Sequence, residues 1–187
     1  MRRQLQMAGL MLLLLGSASA QAFNNQRQAF IVGLGIGYHG TDLDFSHTAS
    51  PTETDSAAGL ATSVRIGFGL SNRFLLYYLS EASWYKRRGD TWSLGLNGLG
   101  MAWYFSPRAP SAYVHGGYGY SYSSLPSEGG SDSSKFGNGY ILGAGYEFMP
   151  HLNLEASYLR ANLTDAIDSP YPVRTGSWRL MLNYLFY

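Results

Sequence analysis

Large apolar and small or polar side chains alternate along this chain in runs of about ten residues, each closed by turn-forming residues. A period of two is the signature of strands that bury one face in an apolar environment. From Phe30 to Tyr38 the even positions are Phe30, Val32, Leu34, Ile36 and Tyr38, and the odd ones are Ile31, Gly33, Gly35 and Gly37. The segments Leu60 to Leu70, Ala112 to Tyr122, Tyr140 to Phe148, Leu152 to Arg160 and Trp178 to Phe186 repeat this polarity. Two others are less clean. Phe74 to Trp84 carries Leu75, Tyr77 and Leu79 opposite its large face, although Glu81 and Ser83 share their phase. Trp92 to Phe105 opens with Trp92, Leu94 and Leu96 against Ser93, Gly95 and Asn97, then its large residues change parity to Leu99, Met101, Trp103 and Phe105. Such a change means either a β-bulge near Asn97 and Gly98 or a lumen side that is itself packed.

Eight strands are therefore predicted. Their connections alternate in length: residues 40–58, 85–91, 123–138 and 161–175 at one end, residues 71–73, 106–110 and 149–151 at the other. Long polar loops opposite tight turns, with both termini on the tight-turn side, describe an antiparallel up-and-down barrel. Strands of about ten residues suit a tilted membrane crossing. An eight-stranded barrel has an interior that side chains just fill, so the larger face must point outward, and an apolar exterior requires lipid as its solvent. The fold class expected is all-β, an eight-stranded antiparallel transmembrane β-barrel. Tyr38, Trp84, Trp92, Tyr122, Tyr140, Tyr158 and Trp178 would ring one interface, and Phe30, Phe68, Phe74, Phe148 and Phe186 the other.

Composition agrees with that picture. Of 187 residues only 13% are charged, while 23 are Gly and 15 are Tyr. A net charge of +1 gives no electrostatic reason to bind nucleic acid. The absence of Cys excludes thiolate catalysis, disulfides, Cys-ligated zinc and a lipoprotein anchor. Residues 1–22 read as a secretory signal peptide, with Arg2 and Arg3 before an apolar run at Leu10 to Leu15. Either Ala18-Ser19-Ala20 or Ala20-Gln21-Ala22 fits cleavage, and 23–187 would form the barrel domain. Without the leader, 11 basic residues face 12 acidic ones.

The closing alternation of Trp178, Leu180, Leu182, Tyr184 and Phe186 resembles the C-terminal signal that the barrel-assembly machinery reads in bacterial outer-membrane proteins, with Tyr187 as one extra residue. Over nearly its whole mature length the chain resembles the small eight-stranded outer-membrane β-barrels of the OmpX, Ail and OmpA-membrane-domain kind. Glu81-Ala82-Ser83-Trp84 and Glu155-Ala156-Ser157-Tyr158 are similar to steps common in their strands. The resemblance implies a bacterial outer-membrane location, contact with outer-membrane lipid and lipopolysaccharide, assembly through the last strand, and a monomer. It implies no cofactor.

Inward ionisable residues are Arg65, Glu81, His115, Glu147, Glu155 and Arg179, accompanied by Asn97, Asn153 and Asn183. A dry lumen requires each charge to be paired. Arg65 with Glu81 is the simplest pairing, and Glu147 and Glu155 could share a proton, His115 or Arg179. A polar plug that holds the barrel shut is expected, with a proton or solute path as the alternative. Barrel enzymes make specific demands. A lipid A deacylase resemblance would need His and Ser two residues apart on a late strand, where this chain has Ser157, Tyr158 and Leu159. A palmitoyltransferase would need an amphipathic helix before the first strand, and Phe23 to Ala29 is too short. His39, His47, His115 and His151 show no metal-binding spacing. The concentrated charge run is Lys86-Arg87-Arg88, where three cations at head-group height could meet lipopolysaccharide phosphates or another polyanion. A non-enzymatic structural or surface-interaction protein is expected. The alternatives are a lipid A hydrolase using Ser157 or His115, and a narrow pore for small apolar solutes.

Overall fold

The computed structural model describes residues 26–45, 53–87, 90–124, 135–165 and 173–187. The leader and the two candidate cleavage sites lie outside these residues. Eight strands form one closed antiparallel barrel in chain order: β1 (Phe30–Phe45), β2 (Glu53–Gly69), β3 (Phe74–Arg87), β4 (Asp90–Tyr104), β5 (Ser111–Ser124), β6 (Lys135–Met149), β7 (Leu152–Asp165) and β8 (Val173–Phe186). Closure pairs β8 with β1 from Val32 opposite Phe186 to Phe45 opposite Val173, so no edge is left unpaired.

The tight turns follow local side-chain chemistry. Between β2 and β3, the Ser71 hydroxyl accepts the backbone N–H groups of Arg73 (3.2 Å) and Phe74 (3.1 Å). Between β6 and β7, His151 takes φ 74°, unusual for a residue with a Cβ. Its ring is anchored there: Nδ1–H donates to the Leu185 carbonyl at 2.8 Å, and the ring packs on Tyr187 with centroids 4.4 Å apart.

At the tight-turn end the strands begin where the alternation predicts, at Phe30, Phe74 and Leu152. At the other end they run on, β1 to Phe45 where the pattern ends at Tyr38, and β2 from Glu53 where it begins at Leu60. Outward positions there are polar, such as Asp42 and Ser56, because they stand above the hydrocarbon. The hydrophobic signal stops at the membrane surface, while the backbone ladder continues as far as hydrogen bonds can be made.

The face assignment holds for seven strands. Leu34, Ile36, Leu60, Phe68, Tyr118, Leu142, Tyr158 and Leu182 are exposed on the outside. Strand β4 resolves its ambiguity without a bulge, since its register is continuous with both neighbours. Leu94 and Leu96 point inward and are 0% exposed, whereas Leu99 is 68% exposed. Two expectations are corrected as a result. Trp92 shares the inward phase, lies opposite Tyr85 and packs on the interior, so it is not part of the outer aromatic ring. Asn97 shares the outward phase of Leu99 and is not a lumen residue. The physical reason is that a dry interior accepts apolar side chains, so polarity alone does not reveal which face is inside.

Candidate functional site

The interior is filled by two kinds of side chain. Toward the long-loop end, Tyr85, Leu94, Leu96, Leu159 and Leu163 pack together. Toward the tight-turn end lies a connected set of charges. Arg65 of β2 makes a two-pronged contact with Glu155 of β7, Nη1 to Oε2 at 2.8 Å and Nη2 to Oε1 at 2.6 Å. Its Nη2 also donates to Glu81 Oε1 at 3.4 Å. Glu81 in turn accepts from Arg179 Nη1 at 2.7 Å, and Arg179 Nη2 donates to the Thr62 carbonyl at 2.9 Å. Glu155 also accepts the Tyr113 hydroxyl at 2.7 Å, and His115 Nε2 lies 3.2 Å from it. Two guanidiniums thus face two carboxylates. All four residues are buried. That balance is what a low-dielectric interior requires.

Register explains the convergence. Glu81 and Glu155 occupy the same place in the two similar four-residue steps of β3 and β7; Glu81 meets Arg65 as a diagonal neighbour on the adjacent strand, and Glu155 reaches it across the lumen. Room for His115 depends on Gly143 opposite it on β6, where a Cβ would run into His115 Nε2 and would also fall 2.7 Å from the Ala156 carbonyl oxygen and from Ser157 Cβ. A void of about 10 Å³ beside Arg65, bordered by Tyr77, Tyr104 and Asn183, has room for about one water molecule.

Glu147 belongs to a separate group at the tight-turn mouth. It pairs with Arg27, accepts the Tyr187 hydroxyl at 2.6 Å and accepts the His151 backbone N–H at 3.2 Å. Arg27 Nη1 also donates to the carbonyls of Asn72 (2.9 Å) and Ser106 (3.0 Å), and its guanidinium lies 3.9 Å over the Tyr104 ring. One arginine therefore ties together all three tight turns. Glu147 and Glu155 do not face each other: register puts Asn153 opposite Glu147 and Gly145 opposite Glu155.

Sequence reasoning missed Arg27, Tyr113, Tyr104 and Tyr187. A signal was present for Arg27, because extending the odd, inward phase of β1 backward from Ile31 reaches it. Tyr113 and Tyr187 share the odd, inward phase of His115 on β5 and of Arg179 on β8, whereas Tyr104 lies on the strand whose parity left both faces open. At the outer rim, Lys86 is exposed near the end of β3 and Arg87 is the last residue of that strand. Arg88 lies outside the described residues. Among the described residues no cluster of His, Asp and Glu has the arrangement of a metal site. Ser157 is buried in the lumen, and His115 lies against Glu155.

A family model described as outer membrane protein beta-barrel domain matches residues 8–186. No curated protein matches the chain. Among solved structures, Ail of Yersinia pestis in complex with the heparin analogue sucrose octasulfate aligns at 18% identity, covering 84% of this chain and 99% of that one, with a TM-score of 0.50. Neisserial surface protein A aligns at 18% identity over 81% and 96%, with a TM-score of 0.50. The outer membrane protein OprG of Pseudomonas aeruginosa aligns at 10% identity over 87% and 99%, with a TM-score of 0.51. At such identities the likeness is one of fold.

Proposed function

We propose, for a chain that belongs to the outer membrane β-barrel domain family and resides in the bacterial outer membrane, that it works without catalysis, as a membrane-structural protein whose outer rim contacts polyanions. The observation that carries this reading is the filled lumen. Arg65, Glu155, Glu81 and Arg179 block the barrel below, and Leu94, Leu96, Leu159 and Leu163 fill it above. A barrel closed in this way offers its environment only its outer wall and its loops. The reading assigns the C-terminal strand, β8 with Tyr187, to recognition by the assembly machinery, and takes the working unit to be a monomer.

The rim around Lys86, Arg87 and Arg88 is the proposed contact for lipopolysaccharide or another sulfated or phosphorylated polymer. Clustered cations at the end of a strand raise the local concentration of polyanions, and that attraction is screened by salt. Ail, which shares the fold, was crystallised with a heparin analogue, and this supports testing the same ligand class here. Heparin retention at low ionic strength is expected to fall when Lys86, Arg87 and Arg88 are all replaced by Ala. Retention equal to that of the native protein would remove the rim from the proposal. The pore reading predicts ion conductance in planar bilayers, and the hydrolase reading predicts an altered lipid A mass spectrum when the protein is produced. The filled lumen argues for a null result in the first, and the burial of Ser157 and His115 inside it argues for a null result in the second.

A further inference from the structure

We infer that the outer wall of β5 to β8, just above the apolar band, binds the phosphorylated glucosamine head group of lipid A, with Arg160 as the centre of the site. This deepens the polyanion reading but concerns a different face of the barrel from the Lys86 rim, which stands on β3. The outward positions here form two adjacent rows fixed by register. One row runs Tyr118, Tyr140, Arg160, Gly176, and the next, one step farther from the membrane centre, runs Tyr120, Asn138, Asn162, Arg174. Apart from the half-buried Gly176, every residue in both rows is exposed. Below them stand Tyr158 and Trp178, opposite each other on β7 and β8 and both exposed.

The chemistry of these rows is unlike that of a lipid-facing wall. Two guanidiniums and two amides sit among aromatic rings, one step beyond the belt residues that mark the hydrocarbon boundary. Two residues of strand advance about 7 Å, so the Arg160 stem can lie along the aromatic surface while its head reaches the phosphate layer. Arg160 and Arg174 are diagonal neighbours, close enough for long side chains to share one ligand. Gly176, opposite Arg160, is bare, and a Cβ there would meet the Tyr158 hydroxyl, so the ring of Tyr158 leans across that position. A flat platform with a cation beside it suits a sugar ring carrying phosphate.

Charge settles which part of the wall is meant. On β1, across the other seam, the exposed Asp42 stands opposite Gly176, diagonal to Arg174 and two strands from Arg160 in the same row. Arg160 is flanked in register by Tyr140 and Gly176, and the ion pairs among the described residues do not include it. A guanidinium binds phosphate in a two-pronged geometry that an ammonium does not reproduce, and the outer leaflet supplies phosphate at this height as lipid A.

The test uses the full protein folded in phosphatidylcholine nanodiscs that contain purified lipid A bearing two phosphates, with lipid A retained per barrel counted by native mass spectrometry. The Arg160→Gln/Arg174→Gln variant is expected to retain about tenfold less, the order lost with one two-pronged charge-assisted contact. Arg160→Lys, which keeps the charge and loses the fork, is expected to fall between native and the double variant. Retention by the native protein should weaken when lipid A lacking phosphate replaces the phosphorylated form. Native-like retention by R160Q/R174Q, or equal competition by phosphatidylglycerol, would overturn the inference. So would loss of retention in K86A/R87A/R88A with R160Q/R174Q unaffected, an outcome that leaves the polyanion reading of the rim standing.

Discussion

Replacing Glu155 by Gln removes one of the two carboxylates in the Arg65–Arg179 cluster and leaves both of its guanidiniums. In the native protein Arg65 reaches Glu155 at 2.6 and 2.8 Å but Glu81 only at 3.4 Å, and Glu81 is already held by Arg179 at 2.7 Å. E155Q therefore leaves two buried cations sharing one acid, and one of them at the longer distance. Removing one partner of a buried pair costs about 3–5 kcal/mol, because the other charge remains desolvated. The Gln amide oxygen can still accept one bond from Arg65, which places the expected loss near the lower end, about 3 kcal/mol. Arg65→Met has the mirror effect, with two acids left to Arg179. In the double variant both charges are gone and Glu81 with Arg179 remains a neutral pair. It should be more stable than the sum of the single losses by about 2–3 kcal/mol. Urea titration of the protein folded in phospholipid vesicles, followed by tryptophan fluorescence and by the heat-shifted band on gels, reads all four species. Single variants within about 0.5 kcal/mol of native, or strictly additive losses, would refute the reasoning, because they would mean that the lumen is wet enough to solvate its charges.

Three further outcomes are expected. Arg27→Met should lower stability by about 3 kcal/mol, since it strands Glu147 at the mouth, and should speed amide exchange in the turns at Asn72 and Ser106; unchanged exchange there would show that Arg27 does not tie the turns together. Leu182→Arg, at a 46% exposed site midway along the outer face of β8, should cost about 2–4 kcal/mol in a bilayer, whereas a barrel whose outer face met water would tolerate it in the same vesicle titration. Gly143→Ala should cost about 1–3 kcal/mol by overpacking, because the Ala156 carbonyl oxygen 2.7 Å from the new Cβ is backbone and cannot step aside; a native denaturation midpoint would disprove that close approach.

Eight strands, their order, the alternation of long and short connections and the lipid-facing side of seven strands were legible in the sequence. Each of these depends on a local physical rule: the period of two, the turn residues, and the cost of putting polar side chains into hydrocarbon. That rule acts only on the outward face and only at membrane depth. Beyond the hydrocarbon, at Asp42 or Ser56, outward residues are free to be polar, so the strands' continuation carried no hydrophobic mark. Inside the barrel the constraint is volume and charge balance rather than polarity. Leu94, Leu96 and Trp92 are inward for that reason, although the same residues would suit the outside. Pairing is the part that tertiary structure alone decides. Arg65 could be matched to Glu81, 16 positions away, by inspection of one hairpin, but its shorter contacts are to Glu155, 90 positions away on β7. Barrel closure sets that distance by bringing β7 across from β2 and β3, and no local property of either residue encodes it.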